Sequence, residues 1–125
     1  MTVTRNSGTP IVMDANDDDG KYMMIQENNV GNEIALVGYN TTTTDFGIYG
    51  LAFPKTVSTG TYNLVQDGTY TATVSSSSDQ QFVLTSGTMT VTSHSGNNIV
   101  GTFSYAGHIG ASNISIGGSF NITTH

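Results

Sequence analysis

The sequence predicts an antiparallel all-β sandwich or flattened β-barrel, built from about nine to ten short strands. Three observations lead there. A five-residue pattern of glycine, hydroxyl, large apolar, polar and apolar residue occurs five times in the second half. The polar stock is uncharged: 20 Thr, 13 Ser and 11 Asn, where threonine favours strands and the others favour turns. No segment carries the apolar period of a convincing helix. At 125 residues the chain is one domain with enough length for one continuous core.

Residues 1–9 are polar and are expected to be a flexible tether. Pro10 to Met13 reads as a short extended piece, followed by the acidic stretch Asp14 to Gly20. Tyr22 to Gln26 and Glu33 to Tyr39 read as strands joined by a turn from Glu27 to Asn32. Phe46 to Phe53 places Phe46 and Ile48 on one face and Tyr49, Leu51 and Phe53 on the other. Its continuous apolarity suggests a strand covered on both faces. Pro54, with no N–H to donate, ends that pairing. The run Ser75 to Asp79 is a loop, since β patterns resume on both sides.

The repeated pattern then takes over. Its copies are Gly60 to Leu64, Gly68 to Ala72, Gly87 to Val91, Gly101 to Tyr105 and Gly118 to Ile122. The alternation turns Tyr62, Tyr70, Phe103 and Phe120 toward a core, with each glycine bending the chain where a strand begins. Phe103 and Phe120 are expected as core anchors, while Thr102 faces water. The copies are unequally spaced, so they are not a solenoid or propeller repeat. Asp67-Gly68, Ser95 to Asn98 and Gly107 to Asn113 are turn signals between them.

Charge excludes several functions. Charged residues are 10% of the chain, against ~25% in an average domain. Arg5, Lys21 and Lys55 face nine acids, for a net charge of −6. Binding to phosphates needs several cations, so no nucleic-acid partner is expected, and an anionic membrane is a poor one. The absence of cysteine removes disulfides, zinc–thiolate sites and thiol nucleophiles. No apolar run reaches the ~18–20 residues of a transmembrane helix.

Candidate chemistry is sparse. Asp14, Asn16, Asp17, Asp18 and Asp19 form the one metal candidate, since calcium takes several hard oxygen ligands from a carboxylate-rich turn. The helical-hand loop template fails in both registers: with Asp14 at position one, Gly20 comes one residue late and Ile25 falls at position twelve. The simpler reading is a solvated acidic turn, with calcium in another geometry as the alternative. No other cofactor is indicated. His94 and His108 fall in predicted turns and His125 is terminal, so all three read as surface histidines. No nucleophile elbow is present around the serines. Glu27, Glu33, Asp45, Asp67 and Asp79 lie in or beside turns, with nothing to bring a catalytic pair together. Gly107 to Gly110 lacks the lysine and helix of a phosphate loop. No catalytic constellation results. Tyr22, Tyr39 and Tyr49 are the aromatics left unassigned, as half-buried residues or as stacking platforms for sugar rings.

A resemblance adds a family. Thr88 to Ser93, Ile99 to Tyr105 and Ile116 to Ile122 resemble the closing strands of an uncharacterised β-rich domain in small envelope lipoproteins of Bacteroidetes. Gly60 to Leu64 is similar to that family's upstream Gly-Thr-Tyr-x-Leu. The likeness spans roughly residues 58 to 122 and carries no known activity or site. It implies an envelope or secreted location. The native reading frame is expected to begin upstream of Val3 with a leader ending in a lipidated cysteine, so that Met1 is not the native start. The expected role is a non-catalytic, envelope-exposed domain for adhesion, scaffolding or ligand binding, with a glycan or another envelope protein as partner. The alternative is a carbohydrate-binding module, with calcium assistance through the acidic turn.

Overall fold

The computed structural model describes residues 1–6, 8, 10–13, 20–28, 32–41, 47–75 and 81–124. In chain order the strands are β1 (Thr2–Arg5), β2 (Ile11–Val12), β3 (Lys21–Asn28), β4 (Glu33–Asn40) and β5 (Gly47–Pro54). They continue as β6 (Gly60–Asn63), β7 (Thr71–Ser75), β8 (Phe82–Ser95), β9 (Asn98–Ile109) and β10 (Ser112–Thr123). A six-stranded sheet has the order β2-β1-β10-β9-β8-β6, and a four-stranded sheet the order β3-β4-β5-β7. All pairings are antiparallel. The two sheets stay separate, which decides the alternative left open above in favour of the sandwich. Among the described residues there is no helix.

Period-two alternation fills the space between the sheets. Ile34, Leu36, Tyr49, Leu51 and Phe53 come from the four-stranded sheet; Met89, Ile99, Phe103, Ile116, Phe120 and Ile122 come from the six-stranded one. Phe120 touches both layers: its ring stacks on Phe53, 5.7 Å away between centroids, and on Phe103, 6.3 Å away. The expected anchors Phe103 and Phe120 are 4% and 2% exposed, whereas Thr102 faces out. Tyr62 and Tyr70 are only partly buried, stacked on each other at the margin of the core with centroids 4.4 Å apart.

Of the patterned glycines only Gly60 begins a strand; Gly68 lies in the connection before β7, and the other three lie within strands. Gly87, Gly101 and Gly118 lie inside β8, β9 and β10. What they supply is room rather than a bend. Phe120 is the cross-strand partner of Gly101, and Phe103 that of Gly118. A Cβ on Gly101 would lie 2.6 Å from Phe120 Cζ, and one on Gly118 would lie 2.6 Å from Phe103 Cζ. Each ring lies over the glycine beside it, covering backbone that would otherwise be bare. Gly107, beneath Phe82, repeats the arrangement inside β9. Gly107 to Asn113 is therefore not one turn: β9 runs to Ile109, and β10 begins at Ser112.

The residues expected to be a tether also differ. Thr2–Arg5 pair with Ile116 to Ser119 of β10, and Val3 is fully buried. The polarity of this segment misled because Thr2 and Thr4 are the outward half of an alternating strand. Met1 packs in the core, and its amino group donates to the Met13 carbonyl at 2.9 Å.

Two bulges set the phase of the longest strand. The β8–β9 register slips by one residue between Leu84 and Ser86, and again between Val91 and Ser93. The extra residues are Thr85 and Thr92. Their hydroxyls donate to the Ala106 and Val100 carbonyls of β9, at 3.1 and 3.2 Å. Each bulge so recovers a hydrogen bond in the disrupted ladder. Inward positions on β8 therefore run Leu84, Gly87, then Val91, His94.

Tyr105 ties the layers through a polar contact. Its hydroxyl donates to the Thr73 carbonyl of β7 at 3.0 Å, from a side chain 2% exposed. Burial, and then the neighbouring Tyr49, push its pKa well above the ordinary phenol value. A phenol with a raised folded pKa keeps its proton after the unfolded chain has lost it. Its stabilising contribution is complete below ~10, the ordinary value, and is lost as pH rises above it. Denaturant midpoints should thus fall above pH ~10. Tyr105→Phe should cost about 1 kcal/mol at neutral pH and make that alkaline fall shallower. An equally steep fall in the variant would assign the effect to other groups.

Candidate functional site

The metal candidate lies outside the described residues: this holds for Asp14, Asn16, Asp17, Asp18 and Asp19, and equally for Asp45, Asp79 and His125. Among the described residues, no three His, Cys, Asp or Glu side chains group closely enough to hold a metal ion. His94 and His108, expected in turns, belong to β8 and β9. His94 is turned inward by the second bulge, opposite Ile99, and its Nδ1 contacts the Val57 carbonyl. His108 sits near the other end of the hairpin, with Nδ1 3.2 Å from the Gly110 carbonyl. The sheet keeps them apart. Glu27 is ion-paired with Lys55 at 2.6 Å, so this acid has a structural partner.

The two solvent faces of the sandwich differ in chemistry. On the six-stranded sheet, Thr61, Thr90, Thr102, Ser119 and Thr2 stand in register as one row across five strands. Thr61 Oγ1 and Thr90 Oγ1 are 3.1 Å apart. This face offers hydroxyls and amides.

The four-stranded sheet presents apolar side chains outward. Register places Tyr22 beside Tyr39 and Ile48, Met24 beside Val37 and Gly50, and Gln26 beside Ala35 and Ala52. β5 is thus covered by a second layer on one face only. Its other face, expected to be covered as well, carries Ile48 and Ala52 half-buried at the surface. Tyr22 and Tyr39 stack with centroids 4.7 Å apart and planes 12° from parallel. Tyr49, the third unassigned tyrosine, is 1% exposed and belongs to the core. Glu33, at one end, is the only charged side chain that the described strand residues place on this face.

Between β4, β5 and β7 the face dips into a hollow of about 230 Å³. Gly50, Ala52 and Ala35 leave its floor low, while Thr71 and Thr73 form one side. Gln66 and Asp67, from the connection between β6 and β7, stand at the rim. Gln66 is fixed by accepting a hydrogen bond from Leu84 N at 2.9 Å. Asp67 holds a left-handed backbone, φ 57°. Sequence reading singled out Tyr22 and Tyr39 but missed the hollow. Its residues come from four separate segments, which the sequence marked only as strands and as the Asp67-Gly68 turn.

No protein-family model, curated protein or solved structure matches this chain. The resemblance to the Bacteroidetes envelope domain accordingly rests on its motifs alone.

Proposed function

We propose that this chain is a non-catalytic binding domain of the cell envelope, and that it holds an uncharged glycan on the outer face of its four-stranded sheet. The observation that carries this reading is the Tyr22–Tyr39 stack on an apolar, nearly charge-free surface. Aromatic rings beside a few fixed polar groups suit a ligand with apolar ring faces and hydroxyl edges. A net charge of −6 disfavours polyanions. Electrophoresis through gels containing neutral polysaccharides, with calcium or with chelator, tests the proposal. The wild type should be retarded by at least one polysaccharide, equally in both buffers. Tyr39→Ala should weaken that retardation about tenfold, as expected when ~1.4 kcal/mol of contact is lost. Identical migration in every gel would remove the glycan and leave scaffolding on another envelope protein as the role for this face.

A further inference from the structure

We infer that the hollow over Gly50 is the subsite for a single neutral pyranose ring, and that Asp67 and Gln66 read its hydroxyls. This rests on the glycan reading above and gives it a location and a specificity. The hollow exists because residues are small where the rows beside it are large. Ala35 and Ala52 share a row with Gln26, and Gly50 shares one with Met24 and Val37. A Cβ on Gly50 would already meet Thr73 Cγ2 at 2.8 Å. The floor is thus a patch of backbone and methyl groups suited to the C–H face of a sugar.

The rim supplies direction. Gln66 spends its carbonyl oxygen on Leu84 N, so its NH₂ group is the end that donates to a ligand. Asp67 brings a carboxylate, which only accepts hydrogen bonds and can take two from neighbouring hydroxyls. Thr71 and Thr73 add hydroxyls that do either. Donors and acceptors around an apolar floor match a polyol ring better than a hydrocarbon. The carboxylate repels an anionic sugar. From Ala35 to Tyr39 along β4 is about 14 Å at ~3.4 Å per residue, so a short oligosaccharide held in the hollow extends over Val37 toward the tyrosine stack.

Calorimetric titration with cello-, xylo-, malto- and mannotriose tests this on the full chain. Four variants accompany the wild type: Ala52→Leu fills the hollow, Asp67→Asn removes its charge, Tyr39→Ala removes the platform, and Thr102→Ala changes the opposite sheet. Asparagine tolerates a left-handed backbone, so Asp67→Asn keeps the turn. At least one trisaccharide should bind the wild type. Ala52→Leu and Asp67→Asn should each weaken it about tenfold or more, the scale of a hydrogen bond to a charged group. Thr102→Ala should bind like the wild type. If Tyr39→Ala loses binding while Ala52→Leu and Asp67→Asn keep it, the hollow is not the subsite and the glycan reading stands. If no trisaccharide binds and no polysaccharide retards the protein, both fall together.

Discussion

Phe120→Ala is expected to lower the free energy of unfolding by about 3–5 kcal/mol, the range for a buried aromatic cut to alanine. Three losses combine at this position. The ring is 2% exposed, so its removal returns a large apolar area to the unfolded-state reference and leaves a cavity. It is also where the layers meet, through Phe53 at 5.7 Å and Phe103 at 6.3 Å. Finally it covers Gly101, and with alanine opposite glycine nothing shields that stretch of β9. Collapse is hindered because β10 is held to β9 by a ladder that runs from Ser112–Ile109 to Thr123–Asn98. Chemical denaturation of the variant and of Thr102→Ala checks this. The threonine faces water, and its loss should stay within about 0.5 kcal/mol, as for ordinary surface changes. A cost under about 1 kcal/mol for Phe120→Ala would mean that the core face has been misassigned.

The second large effect comes from adding one carbon. Gly107→Ala should destabilise by about 3 kcal/mol, the upper part of the range for overpacked cores. An alanine Cβ there would lie 2.1 Å from the Val83 carbonyl oxygen and 2.5 Å from Phe82 Cζ. A ring can rotate away. The carbonyl cannot, because it is backbone of β8, paired across from β9 at Val83–His108 and Leu84–Gly107. Relief requires the strands to separate beside a bulge that already interrupts the ladder. Gly96→Ala is the contrast: nothing lies within 4 Å of a Cβ there, and the cost is set by its positive φ of 59° alone. Thermal unfolding of the two variants should rank Gly107→Ala well below Gly96→Ala. Equal melting temperatures would show that the two strands take up the added carbon without separating.

These residues also mark how far the sequence could be read. Alternation in Gly101 to Tyr105 and Gly118 to Ile122 identified Phe103, Tyr105, Phe120 and Ile122 as inward, and all four are buried. It did so because side chains on a strand change face at every residue, so a local pattern suffices. The hairpin turn at Gly96 and Asn97 was legible for a similar reason, since its residues suit the turn. Thr2 to Arg5 was not legible as a strand. Its four residues are too few to register, and its partners Ile116 to Ser119 lie more than a hundred positions away in sequence.

Half of the candidate site was visible in advance. Tyr22 and Tyr39 stood out as aromatics that no core pattern claimed, but their stacking depends on the β3–β4 register. The hollow was invisible because small residues such as Ala35, Gly50 and Ala52 signal nothing until three strands align them beside the loop carrying Gln66 and Asp67.

By itself, then, the sequence determined the class of fold, the strands with long alternation and the identity of the core aromatics. Tertiary structure decided the phase. Alternation says that two residues share a face, and leaves open whether that face meets the other sheet or water. The threonine bulge at 85 switches the inward positions of β8 from Phe82 and Leu84 to Gly87, Met89 and Val91, and the bulge at 92 switches them back, turning His94 inward where continued alternation from Val91 would turn it out. An extra residue is defined only by the partner strand it fails to match, and that partner is supplied by the folded sheet.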